Sequence, residues 1–278
     1  MTFYAPQTAR FDGSARPLTE DELFRVAPSV FATEAHESRS DRFRPIPTID
    51  IVRGLADEGF HVVGAKQSRS RDVTRKNYTK HLLRLRPDNV VAAVGDSVVE
   101  ALLVNGNDGS AAYKLFFGLF RVVCQNSLVA SQASIDEVKV RHSGDVRAKV
   151  IEGTYRVLEN AAQAIEAPER WAQIRVDQDE ARIFAEAAHE LRFDRDEDGN
   201  THTPIKAEQL LIPRRPADTD PNLWTVFNVV QENAVKGGLS ARGERRRVTT
   251  REIKGIDQDV KLNRALWTLT AKFAELKA

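Results

Sequence analysis

The sequence predicts an α+β fold, with an N-terminal helix and antiparallel β-meander followed by a mostly helical C-terminal half. Three observations lead there. Period-two apolar alternation, the signature of strands, is confined to residues 60–141. Those segments are joined by turns such as Asn-Gly-Asn-Asp-Gly at 105–109, not by the helical crossovers a parallel sheet needs. Beyond Gly144 the apolar residues step by three and four, as one buried helical stripe requires. Strands and helices segregated in this way make an α+β domain.

Taken in order, Thr19 caps a short acidic helix over Glu20–Val26 that Pro28 ends. His36 to Thr48 is polar and extended, and the residues before Pro45 and Pro47 are pushed out of helical space. A helix over Ile49–Glu58 follows, with Thr48 as its cap and Gly59 as its stop; Ile49, Val52 and Ala56 line one face, Ile51 and Leu55 the next. Five strands are expected: Phe60–Ser68, Tyr78–Arg86, Val98–Asn105, Ala111–Phe117 and Ile135–Arg141. Leu119–Leu128 is ambiguous and leans towards a short buried helix.

The helical half begins with a stripe of Ile151, Tyr155, Leu158, Ala162 and Ile165, which Pro168 is expected to break. Asp177 and Glu180 open a capping box for a helix through Phe193, with Ala181, Phe184, Ala188 and Leu191 inward. Thr203-Pro204 and Asp220-Pro221 read as two further helix starts. The second of these helices turns Leu223, Phe227, Val230 and Ala234 inward and ends at Gly237-Gly238. A flexible Gly- and Arg-rich connector precedes a last helix carrying Leu262, Leu266, Leu269, Phe273 and Leu276. Three regions result: an N-terminal extended segment (1–47), an α+β core (48–193) and a helical region with the Arg-rich connector (194–278). The acidic link Asp194 to Gly199 marks the last boundary.

Charge tells more than its total. The chain has 278 residues with 41 Lys and Arg against 40 Asp and Glu, a net of +1. Three Trp and 41% hydrophobic residues exclude a disordered chain. The balance excludes a uniformly basic protein, yet it is built of opposed blocks. His61–Arg86 holds eight cations against Asp72, a net of +7. From Val157 to Asn200 twelve acidic residues face five Arg, a net of −7, and from Lys236 to Lys254 seven cations face two Glu, a net of +5. On a strand over Tyr78–Arg86, Lys80, Arg84 and Arg86 share one face, with Leu82 among them. That face and the loop before it could follow a phosphate backbone, with Tyr78 and Tyr113 as stacking surfaces. The bland alternative is a solvated sheet face. The acidic block is either a solvated helical face or a contact for another copy's basic surface, which would allow head-to-tail assembly.

Motifs for chemistry are mostly missing. There is no Walker loop, GxGxxG or GxSxG, and no His pair has zinc-site spacing. Asp194, Asp196, Asp198 and Gly199 open like a calcium loop, but Ile205 stands where the closing Glu belongs. His81 falls on the apolar strand face and reads as a satisfied core histidine. Cys124 lies in an apolar run, and one cysteine rules out an internal disulfide. No leader pattern and no stretch of about 20 apolar residues is present, so a cytoplasmic protein without a membrane partner is expected. No catalytic residue, cofactor or metal ligand is assigned.

The segments HESRSDRFRPIPTIDIVRGLADEGF, AKQSRSRD, TKHLLRLR, NGNDGSAAY, GLFRVVCQNSLV and QENAVKGGLSAR, with the spacing between them, carry a resemblance. The chain resembles the YafZ/YfjQ/YubP proteins of bacterial prophages and plasmids, a family of unknown function, from about Pro17 to the C-terminus. The family pattern at the hairpin is Asn-Ser-His-Asp-Gly; Asn107 stands here in place of the His. The resemblance implies a setting on mobile DNA, and recombination, replication or evasion of host defence as the work. The order of elements is also similar to the core of single-strand annealing proteins, which form rings around a basic groove; that is analogy of fold alone.

Three readings follow. The leading one is a phage- or plasmid-type DNA-binding protein of recombination, a single-strand annealing protein without nucleotide hydrolysis, favouring single-stranded DNA and forming a homo-oligomer. In it Lys66, Arg69, Arg71, Arg75, Lys76, Lys80, Arg84 and Arg86 contact phosphates, and Arg245, Arg246 and Arg247 form a flexible clamp. The second is a counter-defence or regulatory module that binds a host protein. The third is a metal-dependent nuclease using Asp96, Glu100 or Asp108. The segment His36 to Ser40 is either a site or, preferably, a hydrogen-bonded loop.

Overall fold

A computed structural model describes residues 8–9, 16–40, 43, 45–88, 93–94, 97–121, 126–128, 138–139, 146–193, 203–243 and 246–278. The fold is α+β, as the sequence predicts. The chain divides into two compact units, one of Met1–Leu128 with Ala133–Gln163, the other of Val129–Gln132 with Ala164–Ala278. No helix among the described residues is long and apolar enough to cross a membrane.

The first unit is built on an antiparallel sheet. Its strands are β1 (Thr8–Ala9), β2 (Phe60–Gln67), β3 (His81–Pro87), β4 (Ala93–Val94), β5 (Ser97–Asn105), β6 (Lys114–Arg121), β7 (Asn126–Leu128) and β8 (Val138–Lys139). They run in the order β1-β2-β3-β5-β6-β7, with β4 also on β5 and β8 also on β6. The β5–β6 turn falls on the Asn-Gly-Asn-Asp-Gly segment, where Gly109 takes φ +76°. Two expectations change here. Leu119–Leu128 is strand wherever it is described, because Leu119–Arg121 pair with Val99–Ser97 on one side and Asn126–Leu128 on the other. The strand expected from Tyr78 begins only at His81, since Tyr78 closes the preceding turn. Of Ile135–Arg141, only Val138–Lys139 lie within the described residues.

Helices α1 (Glu20–Val26) and α2 (Thr48–Asp57) belong to the same unit. Thr19 and Glu22 form a full capping box on α1. Thr48 is the first residue of α2 rather than its cap, because its hydroxyl is used elsewhere. Thr48 Oγ1 lies 2.9 Å from His81 Nε2 and accepts from Asn105 Nδ2 at 2.9 Å. Ile49, Ile51 and Leu55 are buried, while Ala56 turns to solvent. β3 is buried on both faces, with His81, Leu83 and Leu85 on one and Leu82 and Arg84 on the other.

Helix α3 (Val146–Ala172) runs through Pro168, where a break is expected. The proline removes one backbone hydrogen bond, and burial of Ala167 and Trp171 beside it outweighs that loss. Tyr155 is on the surface of α3, its hydroxyl donating to Glu58 at 3.1 Å; the side chains of Leu158, Ala162 and Ile165 lie outside the described residues.

The second unit gathers α4 (Gln178–Arg192), α5 (Leu223–Lys236) and α6 (Ile256–Leu276). The Asp177–Glu180 capping box opens α4 as expected. Its buried face is Phe184, Ala185, Ala188 and His189, rotated from the predicted stripe, so Leu191 is exposed. Thr203-Pro204 starts no α-helix; a single 3-10 turn, Ala207–Leu211, follows. For α5 the cap is Asn222, which accepts from the Thr225 amide at 2.9 Å, not Asp220. All four residues predicted inward on α5 are buried, and so are Gln231, Glu232 and Asn233. On α6 the buried face takes Leu262, Leu266, Trp267 and Thr270, leaving Leu276 exposed. Trp171, Phe227 and Trp267 form an aromatic centre with ring centroids 4.5–5.8 Å apart.

Candidate nucleic-acid interface

The β2–β3 connection, residues 68–80, is tied at its base. Ser68 N donates to Lys80 O at 2.7 Å, Thr79 Oγ1 to Ser68 O at 3.0 Å, and Gln67 Nε2 to Lys76 O at 2.7 Å. At its tip Asp72 accepts from the Thr74 hydroxyl at 2.6 Å and the Thr74 amide at 2.9 Å. These bonds, hydroxyl first, and then the Arg75 charge hold the Asp72 carboxyl below the usual range. Arg75 is 3.4 Å from Asp72 and reaches Ser38 Oγ at 3.5 Å, so its charge is partly answered. Arg69 and Arg71 are exposed and make no hydrogen bond or ion pair among the described residues. Lys76 is exposed too; Lys66 and Lys80 are half-buried where the strands begin and end.

Arg84 and Arg86 are elsewhere than expected. Both flank Glu100 of the neighbouring β5 on the even-numbered face of the sheet. Arg84 donates to Glu100 at 2.5 and 2.8 Å, and Arg86 at 2.6 and 3.2 Å. The side chains of Arg84 and Glu100 are 2% and 0% exposed, that of Arg86 20%. Arg84 therefore cannot touch a phosphate outside. Period-two alternation put it on a solvated face, but that face is covered, and a guanidinium buried there needs a carboxylate to answer its charge. The same pairing commits Glu100, one of the three carboxylates considered for a metal. Asp108 accepts from the Ser110 amide at 2.9 Å, and Asp96 lies outside the described residues.

His36 to Ser40 is a hydrogen-bonded loop. His36 Nδ1 is 2.9 Å from Ser38 Oγ and Nε2 is 3.2 Å from Thr74 Oγ1, while the His36 amide donates to Asn107 O at 3.0 Å. Asn107 N in turn donates to Tyr78 O at 2.9 Å. The hairpin loop thus clamps both the His36 segment and the end of the cationic connection. Arg39 lies across Gly109, where a Cβ would come within 2.6 Å of its Nη1. His81 is the core histidine expected of it. Its Nδ1 is 2.8 Å from Ser29 Oγ, which donates to Gln67 Oε1 at 2.9 Å. Burial pushes its pKa down to about 4, so the ring is neutral at pH 7. Tyr113 is wholly buried and offers no stacking surface, whereas Tyr78 is half-buried at the loop's end.

In the second unit the Arg-rich connector is not wholly flexible. It contains a two-stranded ribbon, β9 (Ser240–Arg242) with β10 (Arg247–Thr249). Gln209 Nε2 donates to Ser240 O at 3.0 Å, and Arg192 Nη2 to Arg251 O at 3.0 Å, which anchors the ribbon's base. Register sets Arg242 directly opposite Arg247 and Ser240 opposite Thr249 on one face, with Ala241 and Val248 on the other. The arginine face is exposed, and Ala241 and Val248 are half-buried. Arg242, Arg246 and Arg247 make no ion pair among the described residues; Arg245 lies outside them. The sequence counts Arg242 among the seven cations of its block but does not single it out as a contact. The signal was there in Ser-Ala-Arg and Arg-Val-Thr flanking Gly243.

Residues 35–267 match the model of a domain of unknown function, DUF932. The chain belongs to this family. It is 45% identical over 255 residues to each of two UPF0380 proteins of Escherichia coli (strain K12), YfjQ and YafZ, covering 91% of this chain and 90% of each relative. The family resemblance read from the motifs is thereby established. No solved structure matches the chain. Among the described residues of this DUF932 member, the exposed cations without an ion pair include Arg69 and Arg71 in one unit and Arg242, Arg246 and Arg247 in the other.

Proposed function

We propose that this DUF932 protein binds DNA, single strands in preference, as a cytoplasmic recombination-type factor of a mobile element that needs no nucleotide hydrolysis. One observation carries the reading: Arg242 and Arg247 stand directly opposite each other on an exposed ribbon face, and neither makes an ion pair among the described residues, Glu244 lying outside them. Like charges facing across a strand pair repel, and a phosphate chain laid along the ribbon relieves that repulsion. Arg69 and Arg71 add a second cationic contact. The binding energy comes from released counterions, so affinity falls steeply with salt. Association of copies through opposed charge blocks belongs to the same proposal.

The test separates stability from binding by sign. Arg247→Glu places a carboxylate opposite Arg242 and stabilises the ribbon by about 0.2–1 kcal/mol. The same change weakens binding of a labelled single-stranded oligonucleotide and lowers the salt slope by about 1. Arg69→Glu with Arg71→Glu lowers it further. Annealing of complementary strands without ATP is the functional readout. Wild-type protein that shows no salt-dependent affinity for single strands would refute the proposal.

A further inference from the structure

The cationic connection ends beside a small aromatic pocket. Phe24 of α1, Phe31 of the following 3-10 turn and Tyr78 line it, with Glu34 and Asn77 at its polar side. Phe24 and Phe31 meet edge to face, 5.3 Å between centroids. The pocket holds about 230 Å³. That is below the roughly 300–1,000 Å³ of pockets that enclose a whole small molecule. It suits one flat group on a longer ligand. Phe24 is 54% exposed on a helix whose first turn is Glu20, Asp21 and Glu22, so its edge contact with Phe31 leaves much of the ring open to a ligand.

We infer that this pocket receives one unpaired nucleobase of a DNA single strand. Three features favour a base over another flat group. Asn77 and Tyr78 directly follow Arg75 and Lys76, so pocket wall and cationic loop are one segment. The Cα atoms of Arg75 and Asn77 are at most about 7 Å apart. A backbone held by the loop therefore presents its bases to the rings. Aromatic faces bind every base by stacking, whatever its sequence. Glu34 accepts from an exocyclic amine, and the Asn77 amide can both donate and accept at a base edge. A base in a duplex is stacked and paired and cannot enter, which gives the preference for single strands a physical cause.

The inference rests on the DNA-binding reading above, and the experiment distinguishes the two. Full-length protein is titrated with a labelled single-stranded oligonucleotide and with one of equal length whose sugars lack bases. Wild type favours the base-bearing strand by roughly tenfold. Phe24→Ala erases that preference and leaves the salt slope unchanged, since the ring carries no charge. Phe24→Trp retains the preference, and its added indole emission is quenched on binding. If Phe24→Ala keeps the full preference, the pocket assignment is overturned while DNA binding stands. If neither strand binds wild-type protein, both proposals fall.

Discussion

Glu100→Ala tests the claim that Arg84 and Arg86 hold the sheet together and do not face a ligand. The substitution removes a carboxylate that accepts four guanidinium hydrogen bonds, at 2.5–3.2 Å. Exposure decides the size of the loss. A surface ion pair contributes about 0–1 kcal/mol, because water answers both charges once it is broken. Here the side chains of Glu100 and Arg84 are 0% and 2% exposed, so Arg84 keeps a buried charge without its carboxylate. Breaking such a pair costs roughly 3–5 kcal/mol. With a urea slope of about 2–3 kcal/mol per molar, the midpoint falls by about 1–2.5 M. Far-UV circular dichroism and amide exchange in β3 and β5 are the right probes, since Trp171, Trp224 and Trp267 all lie in the second unit. Arg71→Glu, on the exposed loop, is the control and shifts stability by no more than about 0.5 kcal/mol. Arg84→Met combined with Glu100→Leu recovers much of the loss, because the two fully buried charges leave together and Arg86, 20% exposed, keeps access to water. A Glu100→Ala midpoint equal to that of the control would refute the reasoning. Charge reversal at Arg84 is consequently unusable as a test of DNA binding; it would unfold what it was meant to probe.

Two further outcomes concern stability. His81 has its pKa lowered by burial to about 4, against about 6.5 when unfolded, so the unfolded chain binds the extra proton between those values. Its contribution is complete above about pH 6.5 and lost as pH falls towards 4, about 3 kcal/mol in all. His81→Gln should flatten the slope of urea midpoint between pH 7 and pH 5; an unchanged slope would assign it to another group. Gly237 ends α5 at φ 65°, where a Cβ would come within 2.7 Å of the Arg251 carbonyl carbon. Gly237→Ala should cost at least about 2 kcal/mol and lower the melting temperature read by tryptophan fluorescence, and an unaltered melting temperature would contradict the geometry.

The candidate site was legible in part. Opposed charge blocks located both cationic segments, and Tyr78 was recognised as an aromatic beside one of them. What alternation could not tell was which cations remain outside. Arg84 and Arg71 are alike in sequence, yet one meets a carboxylate 16 residues away and the other meets none among the described residues. Phe24 escaped notice because a single exposed ring in a short helix looks like a core residue until the helix is docked.

By itself the sequence determined whatever depends on near neighbours: the caps at Thr19 and Asp177, the stop at Gly237, the hairpin turn at 105–109 and the α+β order. Those features close their hydrogen bonds within a few residues, so composition and spacing suffice to see them. The tertiary structure alone decided the rotation of α4, the passage of α3 through Pro168, the commitment of Thr48 to His81 and the burial of Arg84. Each is set by a partner far along the chain, where burial and pairing outweigh local preference.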